Sequence, residues 1–138
     1  MASSEQRETL ARQGMEAFNA GDMAGMVAAL SEDVEVYASP EMANAGQYRG
    51  HDGFVAWISA WTDAWEEISA EVTDTIHVGD RHIVTAVHQE GRGRDGIKLS
   101  MELAFLFEIG DDGRCRYLAM LPALEEAVGI ARERERLG

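Results

Sequence analysis

Cysteine is nearly absent from this sequence of 138 residues, which contains only Cys115. A lone thiol excludes an intramolecular disulfide framework and a cysteine zinc site. Long hydrophobic runs are absent too, and no stretch approaches the ~18 apolar residues of a membrane-spanning helix. The first ten residues, M-A-S-S-E-Q-R-E-T-L, are polar. We therefore expect a cytoplasmic protein with no secretory signal and no membrane partner.

Basic residues are scarce, with 12 Lys and Arg against 25 Asp and Glu, for a formal net charge of −13. This balance argues against nucleic acids and anionic membranes as partners, because both attract basic surfaces. The length suits a single domain, residues 1–138. His51, Asp52 and Glu41 lack the spacing of metal ligands, so we expect no metal and no cofactor.

The first half of the sequence has helical periodicity. Ser3 or Ser4 is a plausible N-cap of a first helix that ends at Gly21, and Asp22 caps a second helix that extends through Leu30. Residues 34–38 alternate like a strand, which Pro40 ends, and residues 41–47 resemble an irregular loop.

The second half changes to a period of two. Four strands are predicted at residues 70–78, 82–90, 97–109 and 114–121. The segments between them are short and rich in Gly and Asp, so the sheet is expected to be largely antiparallel. A charged helix follows Pro122. This order predicts an α+β fold with the helices on one face of a curved sheet.

All three tryptophans, Trp57, Trp61 and Trp65, are spaced four residues apart within residues 54–68. At ~100° per residue this spacing places three rings on one flank of a helix. Such a stripe is covered either by the protein's own sheet or, in part, by a ligand.

Two strands carry the polar candidates. In 97–109, the apolar set that includes Phe105 shares one face, and Glu102 lies on the other. In 82–90, His88 shares a face with Val84, while Gln89 shares the opposite face with Val87. If the first set points inward, His88 is the best-placed acid or base. If it points outward, His88 is a surface residue.

Other charged groups are expected in water. His77 and His82 flank the turn at residues 79–80, and both are predicted to be solvated. Residues 132–136, R-E-R-E-R, are predicted to form a solvated helix end, with a partner surface as the alternative.

The order of several short strings resembles the SnoaL-like proteins of the nuclear-transport-factor-2-like superfamily. The strings are A17-F-N-A-G-D22, Y48-R-G-H-D-G53, the Trp-bearing segment, G91-R-G-R-D-G96, F105-L-F-E-I-G-D-D-G113 and A123-L-E-E-A-V-G-I130. The resemblance covers nearly the whole chain. It implies a cone-shaped fold with N-terminal helices on the concave face of a mostly antiparallel sheet. Steroid isomerases, polyketide cyclases, dehydratases and non-catalytic dimerising modules share that fold.

The catalytic residues of those enzymes are not matched. The resemblance places a base aspartate beside a proline at the end of the first strand, where this sequence has Ala38-Ser39-Pro40. A tyrosine of the first helix corresponds to Gly14, and an oxyanion-stabilising acid corresponds to Leu103.

The first hypothesis for function is an apolar pocket that binds a small hydrophobic ring-containing metabolite. Its candidate ligand-binding residues are Met15, Phe18, Tyr48, Trp57, Trp61 and Phe105. If there is turnover, we expect isomerisation, cyclisation or dehydration, with His88 as acid or base and Tyr37 as hydrogen-bond donor.

The second hypothesis is a non-catalytic interaction or dimerisation module, in which the tryptophans belong to the core. A homodimer is expected under both hypotheses. Its interface is predicted on the mixed face of strand 97–109, where Ala104 and Leu106 lie between Glu102 and Glu108.

Overall fold

A computed structural model of the chain describes residues 2–42 and 44–137. The helices are α1 (Ser4–Ala20), α2 (Met23–Ala28), α3 (Gly50–Thr62) and α4 (Leu124–Leu137). The strands are β1 (Leu30–Ala38), β2 (Gly46–Arg49), β3 (Trp65–Val78), β4 (His82–Gly93), β5 (Lys98–Ile109) and β6 (Cys115–Leu121). No helix in this described part combines the length and the apolar character needed to cross a membrane.

The six strands form one curled sheet in the order β2-β1-β6-β5-β4-β3. Neighbouring strands are antiparallel except for β1 and β6, which are parallel. Helices α1, α2 and α3 pack on one face, which we call the inner face, and α4 packs on the outer face. The predicted α+β fold with the N-terminal helices on one face of a curved sheet is confirmed, and the expectation that all helices share that face is wrong for α4.

The first helix begins and ends at residues that the sequence indicates. The Ser3 hydroxyl accepts a hydrogen bond from the backbone N–H of Gln6 at 3.1 Å, and the Gln6 side chain accepts one from the Ser3 N–H at 2.7 Å. Gly21 adopts a left-handed conformation, with φ at 68°, that a residue without Cβ adopts at low cost. Reciprocal capping and a glycine stop therefore explain the length of α1.

The tryptophan stripe is divided between two elements, contrary to the prediction of a single helix. Helix α3 ends at Thr62, and Trp65 is the first residue of β3, where it pairs with Gly93. Trp61 and Trp65 nevertheless remain in contact, with ring centroids 5.9 Å apart in an edge-on arrangement. A sharp turn after α3 therefore brings the third ring to the same apolar layer, and ladder pairing overrides the helical period.

Gly91 allows the Trp65 ring to lie directly on β4. A Cβ at this position would lie 2.5 Å from Trp65 Cε3, which is well inside van der Waals contact. We predict that Gly91→Ala lowers the free energy of unfolding by about 1–3 kcal/mol, because the ring must shift. Chemical denaturation measures the change. A variant as stable as the parent would show that the Trp65 ring moves aside at no cost.

Two further boundaries differ from the prediction. Helix α2 ends at Ala28, and Leu30 begins β1 instead of ending the helix. The predicted loop 41–47, of which residue 43 lies outside the described residues, includes the start of β2. This short edge strand is largely exposed, so its sequence carries no apolar alternation.

The charged end of α4 is packed against the sheet, and the prediction of a solvated helix end is wrong for Arg134 and Glu135. Arg134 Nε donates to Glu108 Oε1 at 2.7 Å, and Glu135 contacts His82 Nδ1. His82, predicted to be solvated, is fully buried, and its Nε2 lies 2.7 Å from Glu108 Oε1. We call His82, Glu108, Arg116, Arg134 and Glu135 the outer-face charge cluster.

The interface predicted on strand 97–109 is occupied by the chain itself. Ala104 and Leu106 are fully buried and pack against Ala127 and Ala131 of α4. Glu108 belongs to the outer-face charge cluster and is buried with them. A homodimer stays a prediction, and these residues are not available to form its interface.

Candidate functional site

Between the inner face of the sheet and helices α1 and α3 lies an apolar cavity of about 70 Å³. Aromatic rings and flexible thioethers form much of its wall. Helix α3 supplies Trp57 and Trp61, and β5 supplies Phe105 and Phe107, because alternate residues of a strand point to one face. The cavity therefore lies where the tryptophan side of α3 faces the aromatic side chains of β5.

Five of the six predicted ligand-binding residues line this cavity. They are Met15, Phe18, Trp57, Trp61 and Phe105. Tyr48 does not line it; the Tyr48 hydroxyl donates to the backbone oxygen of Asn44 at 3.2 Å. The placement of the five agrees with the apolar-pocket hypothesis, and their role in binding stays a prediction.

His88 and Tyr37, the predicted catalytic pair, lie on the outer face of the sheet. His88 Nδ1 lies 2.5 Å from Glu102 Oε1, and its Nε2 lies 3.2 Å from Glu90 Oε1. The hydrogen bond with Glu102, and then that with Glu90, raises the pKa of His88. Tyr37 packs against the apolar residues between the outer face and α4. Because the sheet separates both side chains from the cavity, neither is placed to act on a molecule inside it.

Gln89 lines the cavity but is not among the predicted ligand-binding or catalytic residues. It is only 2% exposed, on the strand face opposite to His88. The side-chain nitrogen lies 3.9 Å from Met101 Sδ, and the side-chain oxygen accepts no hydrogen bond from any described residue. The sequence pattern could have identified Gln89, because this polar residue continues the alternating apolar positions of Ile83 and Val87.

The chemistry that the cavity offers is hydrogen bonding in an apolar setting. None of the described residues that line it carries a carboxylate or an imidazole. Burial raises the pKa of the Cys115 thiol to about 12, so this group stays protonated at neutral pH and is a poor nucleophile. No cluster of three or more potential metal ligands occurs among the described residues.

The size of the cavity limits what it holds in this conformation. Pockets for drug-sized ligands typically enclose about 300–1,000 Å³, several times the 70 Å³ found here. Three methionines, Met15, Met26 and Met120, contribute to the wall. Since methionine has three rotatable side-chain bonds, the wall can adapt to a ligand at a low cost in rotamer energy.

Comparison with known families identifies the fold. The sequence matches the family described as the SnoaL-like domain over residues 11–118, which is more than half of the chain. This protein belongs to the SnoaL-like family. The superfamily suggested by the short strings is confirmed. No curated protein matches the SnoaL-like chain significantly.

Solved structures agree with the SnoaL-like fold. An NTF2-like protein of unknown function from Burkholderia pseudomallei has a TM-score of 0.78 at 21% identity, with 95% of this chain and 98% of that one covered. TerC, co-crystallized with polyporic acid, has a TM-score of 0.77 at 15% identity, with 93% and 98% covered. A Mycobacterium tuberculosis protein in complex with estradiol-17beta-hemisuccinate has a TM-score of 0.75 at 12% identity, with 87% and 95% covered. At these identities the similarity shows the fold alone.

Proposed function

We propose that this SnoaL-like protein binds a small hydrophobic ring-containing metabolite in the inner-face cavity. The observation that carries the proposal is the wall itself, where rings from α3 and β5 surround space that the chain leaves unfilled. Apolar walls with a few orienting polar groups are typical of small-molecule sites. The two structurally similar proteins with bound ring compounds, polyporic acid and an estradiol ester, support a ligand of this kind.

Binding without turnover is the form of the proposal that the cavity supports. Isomerisation, cyclisation and dehydration each need a positioned acid or base. The described wall supplies an amide, indole rings and a protonated thiol, and His88 lies behind the sheet. We therefore propose a binding protein and not an isomerase, cyclase or dehydratase.

The test fills the cavity at Gly14. This glycine lies in α1 and lines the cavity, with no atom within 4 Å of a Cβ built on it. A ligand at ~100 times its Kd stabilises the folded protein by ~2.7 kcal/mol. We expect Gly14→Leu to abolish this gain because the leucine side chain occupies the ligand's space. Thermal unfolding with a panel of steroids, terpenoids and aromatic polyketides measures it.

Gly129 provides the matched control. It lies in α4, is exposed, and also has no atom within 4 Å of a built Cβ. Both leucine variants are expected to stabilise the free protein by up to ~1 kcal/mol, because glycine is a poor helix former. Only Gly14→Leu is expected to lose ligand binding. If no compound raises the melting temperature of the parent protein, or if both variants retain the ligand shift, the proposal fails.

A further inference from the structure

The inner-face cavity is largely apolar, and its polar side-chain groups without a strong partner include the indole N–H groups of Trp57 and Trp61 and the amide of Gln89. The inner face of β4 continues from Gln89 through Val87, Thr85 and Ile83, all buried. Its amide nitrogen has the Met101 sulfur as a weak acceptor at 3.9 Å, and its amide oxygen has no donor among the described residues. Burying a polar group without a strong partner destabilises a fold, so an apolar side chain of the same length is the more stable choice at this position.

Among these groups the amide oxygen is the hydrogen-bond acceptor, and it selects a ligand group that donates. An oxygen acceptor is satisfied by an O–H or N–H donor, and it is left unpaired by a purely hydrocarbon ligand. The described wall contains no charged side chain. An ionised ligand would therefore enter without a counter-charge, at a high desolvation cost.

We infer that the ligand is a neutral cyclic alcohol or phenol whose hydroxyl donates to Gln89 Oε1. Gln89 is then a specificity-determining residue, which distinguishes a hydroxylated ring from the parent hydrocarbon. This inference rests on the proposed function, because it assigns a polar contact to the same cavity. A ligand hydroxyl would supply the hydrogen-bond partner that the chain itself does not offer to the Gln89 amide oxygen.

The test compares three bicyclic probes of nearly equal size: indane, 2-indanol and 2-indanone. Dissociation constants are measured by quenching of tryptophan fluorescence, since Trp57 and Trp61 line the cavity. The variant is Gln89→Met, which keeps side-chain length and removes the amide. We expect the ratio Kd(indane)/Kd(2-indanol) to fall about three- to tenfold in this variant, the range of one neutral hydrogen bond.

Thr85→Val is the matched control. Thr85 lies on the same strand face, is buried, and carries an unpaired hydroxyl, but it is not part of the cavity wall. We expect its Kd ratio to equal that of the parent.

Gln89→Met is also expected to raise the melting temperature of the ligand-free protein, because the buried unpaired amide is gone. Gln89→Leu repeats the comparison with a branched side chain.

Each outcome decides one point. An unchanged Kd ratio in both Gln89 variants overturns the inference and leaves the proposed function in place. A fall of the Kd(indane)/Kd(2-indanone) ratio as large as that for 2-indanol overturns the hydroxyl assignment, because the amide would then act as donor. If none of the three probes binds the parent protein at its solubility limit although a compound of the steroid, terpenoid and polyketide panel does, this inference fails and the proposed function stands; if no compound of either set binds, both fail.

Discussion

Replacing Glu108 with glutamine is expected to lower the free energy of unfolding by about 3 kcal/mol near neutral pH. The carboxylate is almost fully buried and accepts hydrogen bonds from Arg134 and Arg116, at 2.7 and 2.6 Å, while His82 lies 2.7 Å away. Breaking such a buried group of charges costs about 3–5 kcal/mol. The lower end applies here because both arginines are partly exposed. Urea denaturation measures the loss.

The pH dependence of this loss identifies its cause. Burial by itself raises the pKa of Glu108, but hydrogen bonds from His82 and the two arginines outweigh burial and hold that pKa well below its ordinary value of 4.5. Because the folded-state pKa is depressed, the carboxylate stabilises the fold fully above about pH 4.5 and less as pH falls through the folded-state pKa. The difference between parent and Glu108→Gln should therefore shrink in acid.

Glu102 supplies the matched control for Glu108. It lies on the same strand and the same face, but its side chain is 70% exposed and its partner is His88. Exposed pairs are screened by water and contribute little to stability. We expect Glu102→Gln to change the unfolding free energy much less than Glu108→Gln. Equal losses in the two variants, or a Glu108→Gln loss that persists unchanged at about pH 3, would contradict the role assigned to the cluster.

The second large effect is expected at Trp57, where substitution by alanine costs about 3–5 kcal/mol. This ring is 1% exposed, and its centroid lies 5.7 Å from that of Phe54. Removing it leaves a void beside the existing cavity that the sheet cannot close. Since stability of a domain this size is about 5–15 kcal/mol, the variant should unfold at a much lower denaturant concentration. Circular dichroism follows unfolding independently of tryptophan.

Phenylalanine at position 57 separates ring packing from hydrogen bonding. The indole nitrogen of Trp57 is buried and has no hydrogen-bond partner among the described residues. Trp57→Phe removes that unpaired donor and keeps most of the apolar contact, so we expect a loss of less than about 1.5 kcal/mol. A loss as large as that of Trp57→Ala would contradict this expectation and would mean that the phenyl ring does not fill the space of the indole.

Much of the inner-face architecture was predictable because it depends on local periodicity. The alternation around Phe105 identified the apolar face of β5, and the four-residue spacing of Trp57 and Trp61 identified the flank of α3 that meets it. The same spacing misled at Trp65, where β3 had already begun. The residue spacing within one segment cannot show where pairing with another strand ends the helix.

The outer-face charge cluster shows what local pattern leaves out. His82 beside a turn, Glu108 near a strand end and Arg134 in a charged helix end each resemble a solvated residue. His82 and Glu108 meet because the antiparallel β4–β5 ladder pairs them, and Arg134 joins them because α4 folds back across both strands. The separations of 26 residues from His82 to Glu108 and from Glu108 to Arg134 carry no periodic signal.

The sequence by itself determined the α+β class, the order of most elements, the absence of a disulfide framework and the apolar character of the Trp57 and Phe105 faces. Only the tertiary structure decided the sidedness of β4, which places Gln89 in the cavity and His88 on the outer face. The reason is that a strand alternates equally toward both faces, and both faces of β4 carry apolar residues. The packing of α1 and α3 on one side and of α4 on the other selects which set lines the cavity.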